Sequence, residues 1–297
     1  MRIRVSGFGR GDCILQKNIY GREGMCCMEM FEYAFMQKAF IVGILLAAVI
    51  PCVGQVVVCK RLSMIGDALS HTSLAGVAIG LILGINPVLT AVAACVLAAL
   101  FVELIRRKLP RFAEMSIAIM MSIGVGLAGI LSGFAGNTAN FSSFLFGSIV
   151  AISREEMLSV VAVSFLVLLL VGFLHRELFY ISLDERAARL AGVPVQSVNF
   201  IFTVLLAVTV SIAARTVGAL IVSSMLVIPV ACAMQFEKGY FATMGIAVLL
   251  DIFFMCAGLT AAFYLGLKPG GTIVLTGILF LILELLIKGT LGRRYSL

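Results

Sequence analysis

Apolar residues along this chain gather into nine long runs, at about 37–59, 65–85, 87–105, 115–133, 157–174, 198–214, 217–234, 240–266 and 272–288. Each far exceeds the roughly 5–6 residues of an ordinary strand, and most reach the roughly 20 residues with which a helix crosses a bilayer. A tenth run, 141–152, is too short to cross and reads as a half-helix or re-entrant piece. The pattern predicts an all-α fold, a polytopic transmembrane helix bundle of about nine spans.

Composition agrees. The chain of 297 residues is 62% hydrophobic and 12% charged, with a mean hydropathy of +1.14, whereas soluble domains hold roughly 45–50% apolar and 25% charged residues. Lipid is therefore the solvent for most of the chain. The net charge of +7 would suggest nucleic acid for a soluble protein, but here position matters more than sum, and no nucleic-acid partner is expected. Lys60, Arg61, Arg106, Arg107, Lys108, Arg111, Arg176, Arg186, Arg189, Lys238, Lys288, Arg293 and Arg294 fall on one side of the spans, and Arg154, Arg215 and Lys268 on the other. Basic loops stay inside, so the first set marks the cytoplasm. The C-terminus is then cytoplasmic and, with nine spans, the chain enters the first one from outside.

The first 27 residues break this rule, carrying Arg2, Arg4, Arg10, Lys17 and Arg22 without the apolar core of a signal peptide. Either the tail is real and the span count even, or translation begins at Met28 or Met30; the second is favoured because Met30-Phe31-Glu32-Tyr33 opens cleanly into the first span. The expected organisation is a tail at 1–29, a transmembrane domain at 30–290 and a cytoplasmic tail at 291–297. Among the eight cysteines no CxxC pair occurs. Those in the spans read as packing residues, and only the vicinal Cys26 and Cys27 leave metal binding open.

The loop 175–197 is the most organised polar stretch. Ser182-Leu183-Asp184-Glu185 reads as a capping box, and Gly192 with Pro194 as a stop. A short cytoplasmic helix is expected at about 183–191, either a plain surface helix or a docking element for a cytoplasmic partner.

A charge inside a bilayer costs about 2.5–3.5 kcal/mol on insertion scales, so intramembrane ionisable residues are the candidates for chemistry: Asp67, His71, Glu103, Asp251 and Glu284. Asp67 and His71 are four residues apart, about 40° around a helix, with Ser63 and Ser70 nearby on the same polar stripe. Carboxylate and imidazole suit a divalent transition metal. Two ligands make a weak site, and a second chain facing the first would supply four. The other possibility is that the pair bonds to itself or to a neighbouring helix. Gly76, Gly80 and Gly84 lie on the opposite face, a double GxxxG for close helix packing. Asp251 is read as lining the path or bonding a neighbouring span, and Glu103 and Glu284 as structural groups snorkelling near span ends. Gly124-Val125-Gly126-Leu127-Ala128-Gly129 matches GxGxxG inside a span, where helix packing explains it better than a dinucleotide. Pro229 is expected to kink or break the seventh span.

No GxxxxGK[ST] phosphate loop occurs, so ATP would have to be used by another polypeptide. Two histidines, at 71 and 175, cannot build HExxH, which excludes a zinc protease of that kind.

The stretch Arg61–Ala78, with Gly66-Asp67-Ala68-Leu69-Ser70-His71 at its centre, resembles the signature of the ABC-3 family, the permeases of zinc and manganese ABC importers. Leu145–Ile149, Asp184–Gly192 and Val217–Pro229 are similar to the same family, and the likeness runs over about 30–290. It implies a type II-like ABC importer permease in the bacterial cell membrane, not itself an enzyme and with no permanently bound cofactor. It also implies a second copy of the permease, cytoplasmic ATPase subunits and an extracytoplasmic metal-binding protein. The segment 183–191 becomes the coupling helix, with Asp184, Glu185, Ala188 and Gly192 at the ATPase, and Asp67 and His71 become the metal ligands and gate. The implied cargo is zinc, with manganese or iron as the alternative; the mixed imidazole and carboxylate set favours zinc. A gradient-driven secondary transporter is the alternative, against which the capped cytoplasmic helix argues.

Overall fold

The computed structural model describes residues 30–109, 112–134 and 154–292. After a 3-10 turn at Met30–Glu32, eleven α-helices follow among these residues: α1 Ala34–Cys59, α2 Ile65–Leu83, α3 Pro87–Lys108, α4 Ala113–Phe134, α5 Arg154–Phe173, α6 His175–Leu183, α7 Glu185–Leu190, α8 Val195–Thr216, α9 Ala219–Met234, α10 Tyr240–Leu265 and α11 Pro269–Gly292. No strand occurs among the described residues. Eight helices are long and apolar enough to cross a membrane, and α9, with 16 residues, is a shorter apolar helix. These nine coincide with the nine apolar runs. The short run at 141–152, the resembling stretch Leu145–Ile149, Cys26 and Cys27 lie outside the described residues.

The connections follow local chemistry. Asn86 caps α3 by accepting from the Val88 amide at 3.0 Å, with Pro87 at the first helical position, where a missing N–H is harmless. Between α8 and α9 the chain breaks at Val217–Gly218, and Gly218 has φ 104° and ψ 148°, a conformation essentially confined to glycine. Thr216 and Val217 are buried there. Non-helical backbone at membrane depth is tolerated only when protein covers it, and here protein does.

Burial sorts the bundle. About 72% of the apolar windows of α1 and α2 and 67% of that of α8 are buried, against 22% for α4 and α5 and 11% for α11. So α1, α2 and α8 form the inside, and α4, α5 and α11 present apolar side chains such as Ile119, Phe165 and Leu279 outward to lipid. Helix α2 is thus surrounded by protein over most of its length, although it carries two ionisable side chains.

Candidate functional site: the Asp67–His71 face

Ile65 opens α2, so Asp67 lies in its first turn, where the positive end of the helix dipole favours a carboxylate. His71 stands one turn further on, about 6 Å along the axis. Neighbours close the other sides of the helix. Toward α3, a Cβ at Gly76 would come within 2.7 Å of Ala91 Cα and 2.8 Å of the Thr90 carbonyl oxygen, and one at Gly80 would strike Thr90 Oγ1. Cys95 of α3 donates its thiol to the Leu69 carbonyl at 3.2 Å. Toward α8, Ser73 and Ser211 share a buried hydrogen bond of 3.2 Å.

Two more glycines press neighbours against the turn that carries the pair. A Cβ on Gly66 would lie 2.7 Å from Leu226 Cδ1 of α9, and one on Gly124 of α4 would lie 2.9 Å from the Thr72 amide nitrogen and 3.1 Å from the His71 carbonyl carbon. Neither is visible as a packing contact in the sequence, because each needs a partner far along the chain.

In the first two turns of α2 the stripe of Asp67 and His71, both half-buried, stays open beside exposed Met64; the far end of the helix, Leu81–Leu83, is exposed as well. No hydrogen bond or ion pair joins either Asp67 or His71 to another described residue. The pair therefore does not serve as a bridge between helices within the described chain. Among the described residues there is no group of three or more metal-ligating side chains, so one copy offers these two.

Three expectations need correction here. Gly84 does not pack: nothing lies within 4 Å of its Cβ position, and its φ of 68° makes it the left-handed C-cap of α2. In the GxGxxG match Gly124 meets α2, while nothing among the described residues lies within 4 Å of the Cβ position of Gly126. Glu103 does not snorkel. It is 8% exposed and accepts from Arg106 at 2.8 and 3.1 Å and from Arg107 at 2.9 Å.

That carboxylate belongs to a charged cluster at the end of the bundle bearing the basic loops. Lys60 donates to Asn199 at 2.6 Å and lies 5.0 Å from the centre of the Phe202 ring. Burial, helped by the Arg106 charge, pushes the Lys60 ammonium down to about 8. Arg106 also reaches Glu185 at 3.1 Å, and Glu185 lies 3.6 Å from Arg189.

The short helix in this cluster differs from expectation. Residues 175–183 are helical as α6, which places Ser182 inside a helix, not ahead of one. Asp184, extended at φ −153° and ψ 112°, is the cap, accepting from the Arg186 and Ala187 amides at 2.7 and 3.3 Å. The helix proper is Glu185–Leu190 rather than 183–191. It ends where the Val193 amide bonds back to the Ala188 carbonyl at 3.1 Å and Gly192 takes φ 83°. Glu185 was expected at the docking surface, but it faces inward to Arg106, and Ala188 is buried. The outward surface includes Leu183, 70% exposed, Leu190, 91% exposed, and the exposed Asp184, Arg186, Ala187, Arg189 and Gly192. Asp184→Ala should lower stability by about 1 kcal/mol through loss of the cap, seen as a small drop in melting temperature; an unchanged melt would show that the cap contributes nothing.

A bundle of lipid-facing helices around an ionisable stripe, without a phosphate loop, defines a multi-pass membrane transport subunit. Residues 32–288 match the model of the ABC 3 transport family, and the chain belongs to that family: it is the membrane-spanning permease of an ABC transporter, in a bacterial membrane, with ATP hydrolysis left to a separate subunit. It is 32% identical over 254 residues to the "Probable metal transport system membrane protein" of Treponema pallidum, covering 86% of this chain and 96% of that one. It is 30% identical over 256 residues to the manganese import system permease protein ScaB of Streptococcus parasanguinis, covering 86% and 91%. The solved PsaBC of Streptococcus pneumoniae, in complex with Fab, superposes with a TM-score of 0.78 at 28% identity over 87% of this chain and 93% of that one.

Proposed function

We propose that this permease conducts a divalent transition metal into the cell, and that Asp67 and His71 are its ligands along the path. The observation that supports this is the open Asp67–His71 stripe at the start of a helix whose middle, residues 72–78, is buried. A half-exposed carboxylate facing hydrocarbon is costly, and protein or a water-lined path must cover it. A second copy of the chain, stripe to stripe, would cover it and raise the ligand set from two to four, enough for a tetrahedral or partly hydrated ion. Two donors per chain hold the ion loosely enough to release it.

The donor set admits either manganese or zinc. Relatives whose names specify a metal, ScaB and the manganese transport system membrane protein MntC of Listeria innocua, specify manganese, and the reading moves to that metal from zinc.

The exposed Leu183, just before α7, and Leu190, at its end, make the contact for a cytoplasmic ATPase, with Asp184 capping the helix and Glu185 tying it to Arg106. Leu190→Glu is expected to reduce co-purification with the ATPase by about tenfold or more, the scale of burying an unpaired charge in an apolar contact. Undiminished co-purification would remove α7 from the interface.

The function itself is tested by reconstituting the permease with its ATPase and extracytoplasmic binding protein in liposomes. Manganese should stimulate ATP turnover and accumulate inside, with zinc weaker. Stimulation by zinc alone would return the cargo to zinc, and stimulation by neither would refute metal import.

A further inference from the structure

Asp251 lies apart from the Asp67–His71 stripe. It sits near the middle of the 26-residue helix α10, is 1% exposed, and its Oδ2 has no hydrogen-bond partner. It borders a small cavity of about 10 Å³ between α9, α10 and α11. Helix α9 contributes Ser224, Met225 and Pro229 to the wall, and α11 contributes Ile273, Val274 and Gly277. Among the described residues Asp251 is the only titratable side chain lining it, and no cation among them faces it there.

An unpaired carboxylate in such surroundings neutralises rather than stay charged. A neutral acid keeps one O–H donor, which needs an acceptor. The chain supplies one by default. Pro229 stands inside α9 and has no N–H, so the carbonyl four residues earlier, that of Met225, loses its helical donor. Met225 borders the same cavity as Asp251, and a cavity of about 10 Å³ is about the room one water occupies.

We propose that Asp251 is a protonated carboxylic acid and that it forms, with the Met225 carbonyl, a buried proton-and-water site in which one water bridges the acid to the carbonyl that Pro229 leaves open. The site ties the Pro229 turn of α9 to α10. The residue after Met225 is Leu226, whose side chain presses on Gly66 beside Asp67, so the site also fixes the helix that abuts the metal ligands. It is a positioning site, and metal does not enter it.

Infrared difference spectroscopy of the complete purified transporter tests this. In alkaline buffer ordinary surface carboxyls are ionised, and a surviving carboxylic acid band that moves in heavy water is expected. The band should vanish in D251N, move in D251E, and rise in frequency in P229A, where the new amide donor displaces the water bridge from the Met225 carbonyl. Absence of a carboxylic acid band in the alkaline wild-type protein, or one that persists unchanged in both Asp251 variants, overturns the protonated acid. A band that ignores P229A overturns the bridge to Met225. If one Asp251 variant fails to assemble, the other still assigns the band, and absence of the band from the wild-type spectrum overturns the protonated acid without either.

Discussion

Asp67→Ala and His71→Ala should each abolish metal uptake while leaving the transporter assembled. Loss of a residue that merely orients a metal ligand typically lowers affinity about 10–100-fold. Loss of one of two ligands per chain should therefore lower transport by about 100-fold or more. Assembly should survive because neither side chain bonds to any other described residue, and removing a half-exposed group opens no sealed core cavity. The comparison requires both readings on one preparation: uptake into liposomes, and co-purification of the permease with its ATPase. Normal uptake in both variants would remove the pair from the path. Disassembly would instead make them structural groups, against the absence of any bond to hold.

The second large effect comes from a residue that never touches metal. Gly124→Val forces methyl groups into the backbone of α2 at His71 and Thr72, where even a Cβ would lie 2.9–3.1 Å from main-chain atoms and the Thr72 hydroxyl. Backbone cannot swing aside as a flexible side chain does, so α4 must retreat. Overpacking of this kind costs about 1–3 kcal/mol, occasionally more, and here it tilts the turn presenting His71. Uptake should fall severely, with a lowered melting temperature. Gly126→Val, two residues away and facing open space, is the control and should behave nearly as wild type. Equal behaviour of the two variants would mean that the α4 contact does not govern the site.

The contrast between these two glycines shows where sequence reading stops. Hydrophobic runs made all nine apolar helices legible, because lipid imposes one rule along the entire chain. The Asp67–His71 spacing was legible too, since i,i+4 neighbours share a helix face whatever surrounds them. Which glycine of Gly124, Gly126 and Gly129 meets a partner depends on how α4 lies against α2, and a single helix carries no record of that. Gly84 misled for a related reason: it continues the period of Gly76 and Gly80, yet it falls where the helix ends.

The short capped helix expected at 183–191 is found at Glu185–Leu190, and its cap was misread in detail. Ser182 and Asp184 are both good caps, and only the fact that α6 is helical through Leu183 decides between them. The inward turn of Glu185 depends on Arg106, 79 positions earlier. Asp251 left two options in the sequence, and its burial at a small cavity with Pro229, Oδ2 unpartnered, depends on how α9, α10 and α11 pack, which one helix does not record. The metal stays beyond the reach of two side chains, because an imidazole and a carboxylate accept several ions.

The central claim is that His71 and Asp67 touch the cargo itself. Pulsed electron paramagnetic resonance of manganese loaded into the assembled transporter, with isotope-labelled histidine, reads this directly. A histidine nitrogen coupling to the bound ion that disappears in H71Q is the predicted result. Manganese bound along the path with no histidine coupling, or with a coupling that survives H71Q, would contradict it.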